Sequence, residues 1–306
     1  MNFTRKYRPS SFDEFSGNKS AVASIQSVLS KPADDIPRAW LLTGDSGCGK
    51  TTMARIIAKE LNCDESCFFE YNAANTRGID TIREVNTNSK FSPMAGDTKV
   101  YLFDEAHMIT GVAVEALLKL IEDPPKNTYF IFATTNPEVL KKTLKSRCVS
   151  FHFAPLIKRD MKDLLISICD AENDPEFPED VIDEIISASQ GLVRAALQLL
   201  DMVFLMEDID EMIAVIQSED IDGEGDVKEI CQGIMKKVKW SELASILKNI
   251  KGDPESLRRG ILGYFNAVLL NSGDPAIAFF IECFEENYFN SGRAGLTKSC
   301  FIALTE

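Results

Sequence analysis

The sequence lacks the apolar segments that would place a chain in a membrane. Residues 1–6 lead directly into polar sequence without the apolar centre of a signal peptide, and no run approaches the roughly 20 apolar residues of a membrane helix. Internal repeats and low-complexity tracts are also lacking. We therefore expect a cytoplasmic protein that has no membrane partner.

The eight cysteines lack the regular spacing of a disulfide framework. Cys48 lies inside a glycine-rich segment, where a disulfide would distort the loop. Reduced thiols in a cytosolic protein fit this pattern best.

Positive charge is scarce in the second half of the chain. The net charge is -14; residues 1–156 hold 19 Lys and Arg against 18 Asp and Glu, whereas residues 157–306 hold 14 against 29. The net negative charge of the whole chain therefore argues against nucleic-acid binding. We expect any DNA contact to come from local Lys and Arg of the first half, and the acidic half to face solvent or protein partners.

One segment matches the pattern G-x-x-x-x-G-K-[ST] in full, between the apolar run 39–42 and the helical stretch 52–61. In such a P-loop, backbone N–H groups turn onto phosphate oxygens, the Lys reaches the terminal phosphates, and the Thr hydroxyl can hold Mg²⁺. The alternative is a chance glycine-rich turn, which rarely has this strand and helix context. The residues predicted to bind ATP here are Gly44, Asp45, Ser46, Gly47, Cys48, Gly49, Lys50, Thr51 and Thr52.

A second motif follows the apolar run 100–103, which predicts a buried strand ending at two carboxylates, Asp104 and Glu105. This is the pattern of a Walker B element. Asp104, with Thr51, is predicted to hold Mg²⁺, and Glu105 to polarise the water that attacks the terminal phosphate. The alternative is an acidic strand end that caps the next helix. The string 104–107 also spells DEAH, but four letters carry little weight, and we interpret His107 as a structural residue.

Short β-rich runs alternate with helical patterns through the first half of the chain, which predicts five parallel strands in an α/β P-loop domain whose ligand site lies beyond the strand carboxyl ends. After Pro155 the pattern becomes helical, at about 158–171, 178–188 and 192–205, and then in a last block at about 227–304. We predict an ATPase domain at 1–156, a three-helix lid at 157–206 and an all-helical collar at 207–306.

Further segments, taken together and in order, resemble AAA+ sliding-clamp loaders. The matching segments are Lys6-Tyr7-Arg8-Pro9, residues 72–79, residues 116–125, Ala133-Thr134-Thr135, Ser146-Arg147-Cys148 and Gly191-Leu192-Val193-Arg194. They are similar to the small subunits of replication factor C and the bacterial gamma/tau subunit, over about the first two thirds of the chain. The last third is covered only by its helical character.

The resemblance implies further nucleotide contacts. Tyr7, Arg8 and Pro9 belong to the opening box of the family, Thr135 occupies the sensor 1 position, and Arg194 occupies the sensor 2 position on the lid. Thr135 would orient the attacking water or report the terminal phosphate, and Arg194 would couple the lid angle to phosphate state. The ordinary alternatives are a Thr at a strand end and a solvated Arg on a helix face.

Arg147 has a different implied role. The resemblance predicts that it acts in trans on the ATP of a neighbouring subunit, because a planar, permanently charged guanidinium suits the charge of a phosphoryl transition state. The alternative is a surface arginine at a helix end. A homo- or hetero-pentamer of clamp-loader subunits is therefore expected.

The resemblance also implies contacts with primer-template DNA that have no sequence specificity. Thr76, Arg77 and Gly78 would begin one contacting helix, and Thr110 and Gly111 another, although both sets could be simple N-caps. A sliding clamp would contact the apolar loop at 91–94, whose side chains could instead pack beneath the sheet edge.

Two features depart from the bacterial pattern. Gamma/tau chains carry a four-cysteine zinc module after the P-loop helix, whereas only Cys63 and Cys67 occur here, and two thiols cannot close a tetrahedral site. We therefore predict no zinc. We also expect no counterpart of the long tau extension, since the sequence ends after the helical block.

These observations predict the ATP-hydrolysing subunit of a sliding-clamp loader, with ATP and Mg²⁺ as cofactors. It would open the clamp and place it on primed DNA, in the replisome of a cell or, for a viral protein, in the host cytoplasm. One alternative is another AAA+ DNA motor of the helicase type. The other is a non-catalytic structural subunit, which would need no intact P-loop.

Overall fold

The computed structural model describes residues 2–74, 79–109, 111–218, 224–250, 254–288 and 291–305. The chain divides into two compact units, Met1–Met212 and Ile213–Glu306, and the helix α10 (Ile209–Ser218) contains the point of division. The three-part division at 156 and 206 stays a prediction, because the contacts group the predicted lid with the predicted ATPase domain.

The first unit contains a five-stranded sheet in which every pairing is parallel, in the order β2-β3-β4-β1-β5. The strands are β1 (Ala39–Gly44), β2 (Phe68–Asn72), β3 (Lys99–Asp104), β4 (Thr128–Thr134) and β5 (Val149–Phe153). The accompanying helices are α1 (Phe3–Lys6), α2 (Lys19–Leu29), α3 (Lys50–Glu60), α4 (Ile79–Ser89), α5 (Gly111–Glu122) and α6 (Lys142–Lys145). The predicted fold class is confirmed.

Both faces of the sheet are covered. Trp40 and Leu42 of β1 pack into a core with α2 and α3, and Leu41, between them, packs into a second core with α4 and α5. This burial on both sides explains why the strands are apolar without interruption. On the second face, two ladders of stacked rings run across β2, β3 and β4, with centroids 5.0 to 5.6 Å apart. The ladders are Phe69, Tyr101 and Phe130, and Tyr71, Phe103 and Phe132.

Three helices complete the first unit at the predicted places: α7 (Lys158–Ala171), α8 (Glu179–Ser189) and α9 (Val193–Val203). The helix that precedes Arg147 is the four-residue α6. Three helices were not predicted: α1, which at four residues is too short to show a helical period, α2 and α10. Among the described residues, no helix combines the length and apolarity that crossing a bilayer requires.

The described residues of the second unit form helices joined by short loops, with no strand among them. Its helices after α10 are α11 (Glu224–Met235), α12 (Trp240–Asn249), α13 (Pro254–Ser272), α14 (Pro275–Cys283) and α15 (Gly292–Thr305). Their apolar faces enclose a separate core around Phe265 and Phe284. The carboxylate of Glu255, only 7% exposed, accepts hydrogen bonds from the Arg258 side chain and from the backbone N–H of Tyr288 at 2.8 Å.

Candidate active site

The glycine-rich loop joins β1 to α3 at the carboxyl end of the sheet. Gly44 has φ +143°, and a Cβ atom there would lie 2.1 Å from the carbonyl oxygen of Phe153 on the adjacent strand. Gly49, with φ +89°, precedes the first turn of α3. Glycine is therefore required at both positions, and the loop can direct backbone N–H groups toward an anion at the helix N-terminus. Burial raises the pKa of the Cys48 thiol within this loop to about 11.

Lys50, the first residue of α3, is 6% exposed and lies across the mouth of the loop. Its Nζ donates hydrogen bonds to the carbonyl oxygens of Gly44 at 2.9 Å and Asp45 at 2.7 Å. Burial lowers the pKa of Lys50, although the nearby carboxylates of Glu105 and Asp104 oppose this change. The ammonium group is thus held beside the loop by neutral carbonyls, which a phosphate group could replace as partners.

Thr51 and Asp104 meet where α3 faces the end of β3. The hydroxyl of Thr51 donates a 2.9 Å hydrogen bond to Oδ2 of Asp104, and Oδ1 of Asp104 accepts the backbone N–H of Glu105 at 2.9 Å. A hydroxyl and a carboxylate are the hard oxygen ligands that Mg²⁺ prefers. The donor set therefore fits the predicted metal.

Glu105 directly follows β3 and adopts a left-handed backbone conformation, φ +51° and ψ +45°. Non-glycine residues in this region are uncommon and are concentrated at functional sites. Its Oε2 atom accepts a 3.2 Å hydrogen bond from the hydroxyl of Thr135, the residue after β4. Since β3 and β4 are neighbours, the sheet brings the predicted Walker B and sensor 1 residues together.

His107, which we interpreted as a structural residue, lies beside Glu105 in the structure. Its Nδ1 lies 3.3 Å from Oε2 of Glu105 and 2.9 Å from Oγ1 of Thr134. A short 3-10 turn at Ala106–Met108 returns the chain toward β4 and creates both contacts. No periodic signal in the sequence predicts that turn, so only the DEAH string marked the position.

A cleft of about 280 Å³ connects these groups with the lid. Tyr7, Arg8 and Pro9 line it, as does Thr52 after the P-loop. Arg194, in the first turn of α9, lines it from the lid side, with its Cβ 3.2 Å from the position that a Cβ on Gly47 would occupy. The structure therefore places the predicted opening box, the P-loop and the predicted sensor 2 arginine around one cleft.

The N-terminal segment is bound to the helices of the predicted lid. Lys6 Nζ and Tyr7 Oη both donate to Oε1 of Glu172, at 2.6 and 2.5 Å, at the residue that follows α7. Phe3 packs edge to face against Phe204, the residue after α9. These contacts form a tether between the N-terminal segment and the predicted lid. The hydrogen bonds from Lys6 and Tyr7 lower the pKa of Glu172, so the carboxylate at the centre of the tether is anionic.

Arg147 lies away from the residues that line the cleft. Its side chain is 37% exposed, and its guanidinium donates to Oε1 of Glu122 and, at 2.9 Å, to the carbonyl oxygen of Thr143. The described fold therefore does not bring Arg147 to the nucleotide cleft of its own chain.

Most of the predicted DNA contacts fall outside the described residues: Thr76, Arg77, Gly78 and Thr110. Gly111 is described; it begins α5, is exposed, and has open space where a Cβ would lie. In the predicted clamp-contact loop, Phe91 is 66% and Met94 is 96% exposed. The alternative that these side chains pack beneath the sheet edge is therefore wrong.

Cys63 and Cys67, the two cysteines between the P-loop helix and β2, have hydrogen-bond partners within the protein. Cys67 is buried, and its thiol donates to the carbonyl oxygen of Ala95 at 3.3 Å. Burial raises the pKa of Cys63 to about 11, which opposes the thiolate form that zinc requires. The absence of zinc stays a prediction.

A family model described as DNA polymerase III, delta subunit, matches residues 66–157. The tau subunit of DNA polymerase III from Bacillus subtilis is 30% identical over 306 residues, covering 91% of this chain and 53% of the relative. The gamma subunit from Buchnera aphidicola is 37% identical over 225 residues, covering 66% of this chain and 61% of the relative. The chain thus spans less than two thirds of either curated relative.

Among solved structures, the RuvB Holliday junction branch migration motor of Thermotoga maritima matches with a TM-score of 0.61 at 22% identity, covering 79% of this chain and 85% of RuvB. The parallel sheet with its P-loop and the cleft beside it are those of the AAA+ P-loop ATPase fold. Within that class, the chain is a relative of the gamma/tau subunits of DNA polymerase III, and its resemblance to the AAA+ clamp-loader subunits is confirmed.

Proposed function

We propose that this chain is the ATP-hydrolysing subunit of a DNA polymerase sliding-clamp loader. The proposal is carried by one observation: the carboxylate of Glu105 is held by Thr135 beside the Thr51–Asp104 pair, within the cleft that the P-loop and the lid line. A chain that only supported its neighbours would need none of these contacts.

The reaction is phosphoryl transfer from ATP to water. Lys50 and the loop N–H groups would bind the terminal phosphates, and Thr51 and Asp104 would hold Mg²⁺, which neutralises charge on the phosphate oxygens. Glu105 would polarise the attacking water, while Thr135 and His107 hold its carboxylate in place. Arg194 would contact the same nucleotide from the lid, and Arg147 would act in trans on a neighbouring subunit's ATP.

The proposed partners are a sliding clamp, primer-template DNA bound without sequence specificity, and further clamp-loader subunits in a homo- or hetero-pentamer. The exposed Phe91 and Met94 suit a clamp contact, and Gly111 leaves the start of α5 open to a DNA backbone. We propose that the second unit is the collar that joins subunits, and that the protein acts in the cytoplasm at the replisome.

Two alternatives are less well supported. The structural likeness to RuvB concerns the fold alone, and gives no reason to prefer a branch-migration motor. The delta-subunit model would suit a non-catalytic subunit, but its match begins at residue 66 and leaves out the P-loop. In this chain the loop is complete and Lys50 is in position.

The test is steady-state ATP hydrolysis by the complete assembly, measured with and without the cognate clamp and primer-template DNA. We expect slow basal turnover and a large increase when both are present. Stimulation by DNA alone, unaffected by the clamp, would favour another AAA+ motor. Failure to bind ATP would favour the non-catalytic subunit.

A further inference from the structure

Two ion pairs join α5 to the segment that carries Arg147. Near the middle of α5, Glu115 binds Lys141 at 2.6 Å, just before α6. At the end of α5, Glu122 binds the guanidinium of Arg147, just after α6. Arg147 therefore rests on α5 through a side-chain contact between residues 25 positions apart.

Glu122 is an unfavourable choice for its position in the helix. It is the last residue of α5, where the exposed carbonyls of the helix end already carry partial negative charge. A carboxylate there opposes the helix dipole, whereas Lys or Arg would be favoured. Residues that break a local rule are concentrated at functional sites. The contact that offsets this unfavourable placement is the one with Arg147.

The contact leaves Arg147 able to bind a second anion. A guanidinium has five N–H donors in a fixed plane. In the structure one terminal nitrogen donates to Thr143 and the other to Glu122, while 37% of the side chain remains exposed. Guanidinium groups commonly bind a carboxylate at one edge and a phosphate at another, because the donors point in different directions.

We infer that Glu122 is a positioning residue for Arg147, fixing the guanidinium so that its remaining donors meet the neighbouring subunit's ATP in the transition state. This inference rests on the proposed function, since it requires that Arg147 acts in trans. Without Glu122, the long Arg side chain would sample several rotamers, and fewer of them would place the donors correctly. Pairs this exposed contribute little to folding stability, so the consequence should be kinetic.

The experiment compares Glu122→Gln with Glu115→Gln in the complete assembly with clamp and primed DNA. Glu115→Gln is the matched control, because it removes the other ion pair between α5 and this segment without touching Arg147. We expect Glu122→Gln to lower kcat about 10-fold, with KM for ATP and Tm unchanged, because the contact matters only in the transition state. The control should match wild type in all three quantities.

Two further measurements separate positioning from other roles. In an Arg147→Ala background, adding Glu122→Gln should have no further effect on kcat. When Glu122→Gln subunits are mixed with Lys50→Ala subunits, the hydrolysis rate of the mixture should exceed the average of the rates of the two unmixed proteins. In the mixture, the intact P-loop of a Glu122→Gln subunit can face a neighbour whose Glu122 and Arg147 are both intact.

The outcomes distinguish this inference from the proposed function. If wild type shows no clamp- and DNA-stimulated hydrolysis, the proposed function is wrong. Only the positioning role of Glu122 is overturned if wild type is stimulated and Arg147→Ala retains only residual turnover, but Glu122→Gln turns over normally. The same holds if Glu122→Gln lowers the residual turnover of Arg147→Ala further.

Discussion

The hydroxyl of Thr135 donates a 3.2 Å hydrogen bond to Oε2 of Glu105. The same oxygen lies 3.3 Å from Nδ1 of His107, so the carboxylate is held from two sides by residues that follow different strands. Because β3 and β4 are paired in register, this arrangement needs no loop closure. Glu105 is thus oriented by the end of the neighbouring strand and by the 3-10 turn that follows it, which makes it the natural residue for a first test.

We expect Glu105→Gln to lower kcat for ATP hydrolysis about 100-fold or more while leaving nucleotide affinity nearly unchanged, because an amide cannot polarise water as a carboxylate does. Turnover and binding of a fluorescent nucleotide are measured on the same preparation. Glu138→Gln, which changes an exposed carboxylate, is the control. Normal turnover by Glu105→Gln would remove this residue from its proposed role.

Arg147→Ala should abolish stimulated hydrolysis, with a loss on the order of 10³ or more, while ATP still binds. The complementary variant is Lys50→Ala, which disables the P-loop. Mixing the two should restore part of the activity, because some intact P-loops then face an intact Arg147. A mixture that stays inactive, although mixed oligomers are detected, would argue that Arg147 has a structural or same-chain role.

Arg77→Ala should weaken binding to primed template and reduce the slope of affinity against salt, because a phosphate contact acts through counterion release. Affinity for different template sequences should fall equally. The measurement is a fluorescence anisotropy titration at several salt concentrations. Lys236→Ala, which removes an exposed positive charge from the second unit, controls for net charge. Unchanged affinity across the salt series would direct attention to the start of α5.

Glu255→Gln should destabilise the second unit by about 3 kcal/mol at pH 7, because it leaves the Arg258 guanidinium without its charged partner in a buried setting. Urea unfolding followed by circular dichroism measures the change. Glu282→Gln, at an exposed position of α14, is the control. An unfolding midpoint equal to that of wild type would show that the ion pair contributes nothing to stability.

The same pair predicts a pH dependence. Burial raises the pKa of Glu255, but the hydrogen bonds from Arg258 and from the Tyr288 N–H outweigh it, and the net pKa lies below the ordinary value of 4.5. A lowered folded-state pKa gives stability that is present above pH 4.5 and is lost as the pH falls through the folded-state value. The difference between wild type and Glu255→Gln should therefore narrow at acidic pH. A difference that stays constant would contradict this linkage.

The sequence predicted those parts of the site that depend on the local chain. A P-loop needs glycines and a Lys at fixed spacing, and a Walker B motif needs an Asp at the end of a buried strand, as Asp104 is. Both motifs could therefore be predicted from the sequence without knowledge of any contact. The same holds for the sheet, since strands covered on both faces must be apolar throughout.

Contacts between distant segments could not be predicted in this way. The pairs His107 with Thr134, Glu122 with Arg147, and Tyr7 with Glu172 are separated by 27, 25 and 165 residues. Each depends on how the strands are ordered and how the helices pack, and leaves no period in the sequence. The contact of His107 with Glu105 was not predicted for this reason, because the 3-10 turn that brings the two side chains together leaves no period in the sequence.

The tether between the N-terminal segment and the lid also limits how the cleft can change shape. Any rotation of α7 displaces the Glu172 carboxylate to which Lys6 and Tyr7 are bonded. Those bonds must then break, or the N-terminal segment must travel with the lid. Tyr7, Arg8 and Pro9 line the cleft, and Arg194 lines it from the predicted lid. These two walls of the predicted nucleotide site would therefore widen or narrow together, while the P-loop wall stays with the sheet.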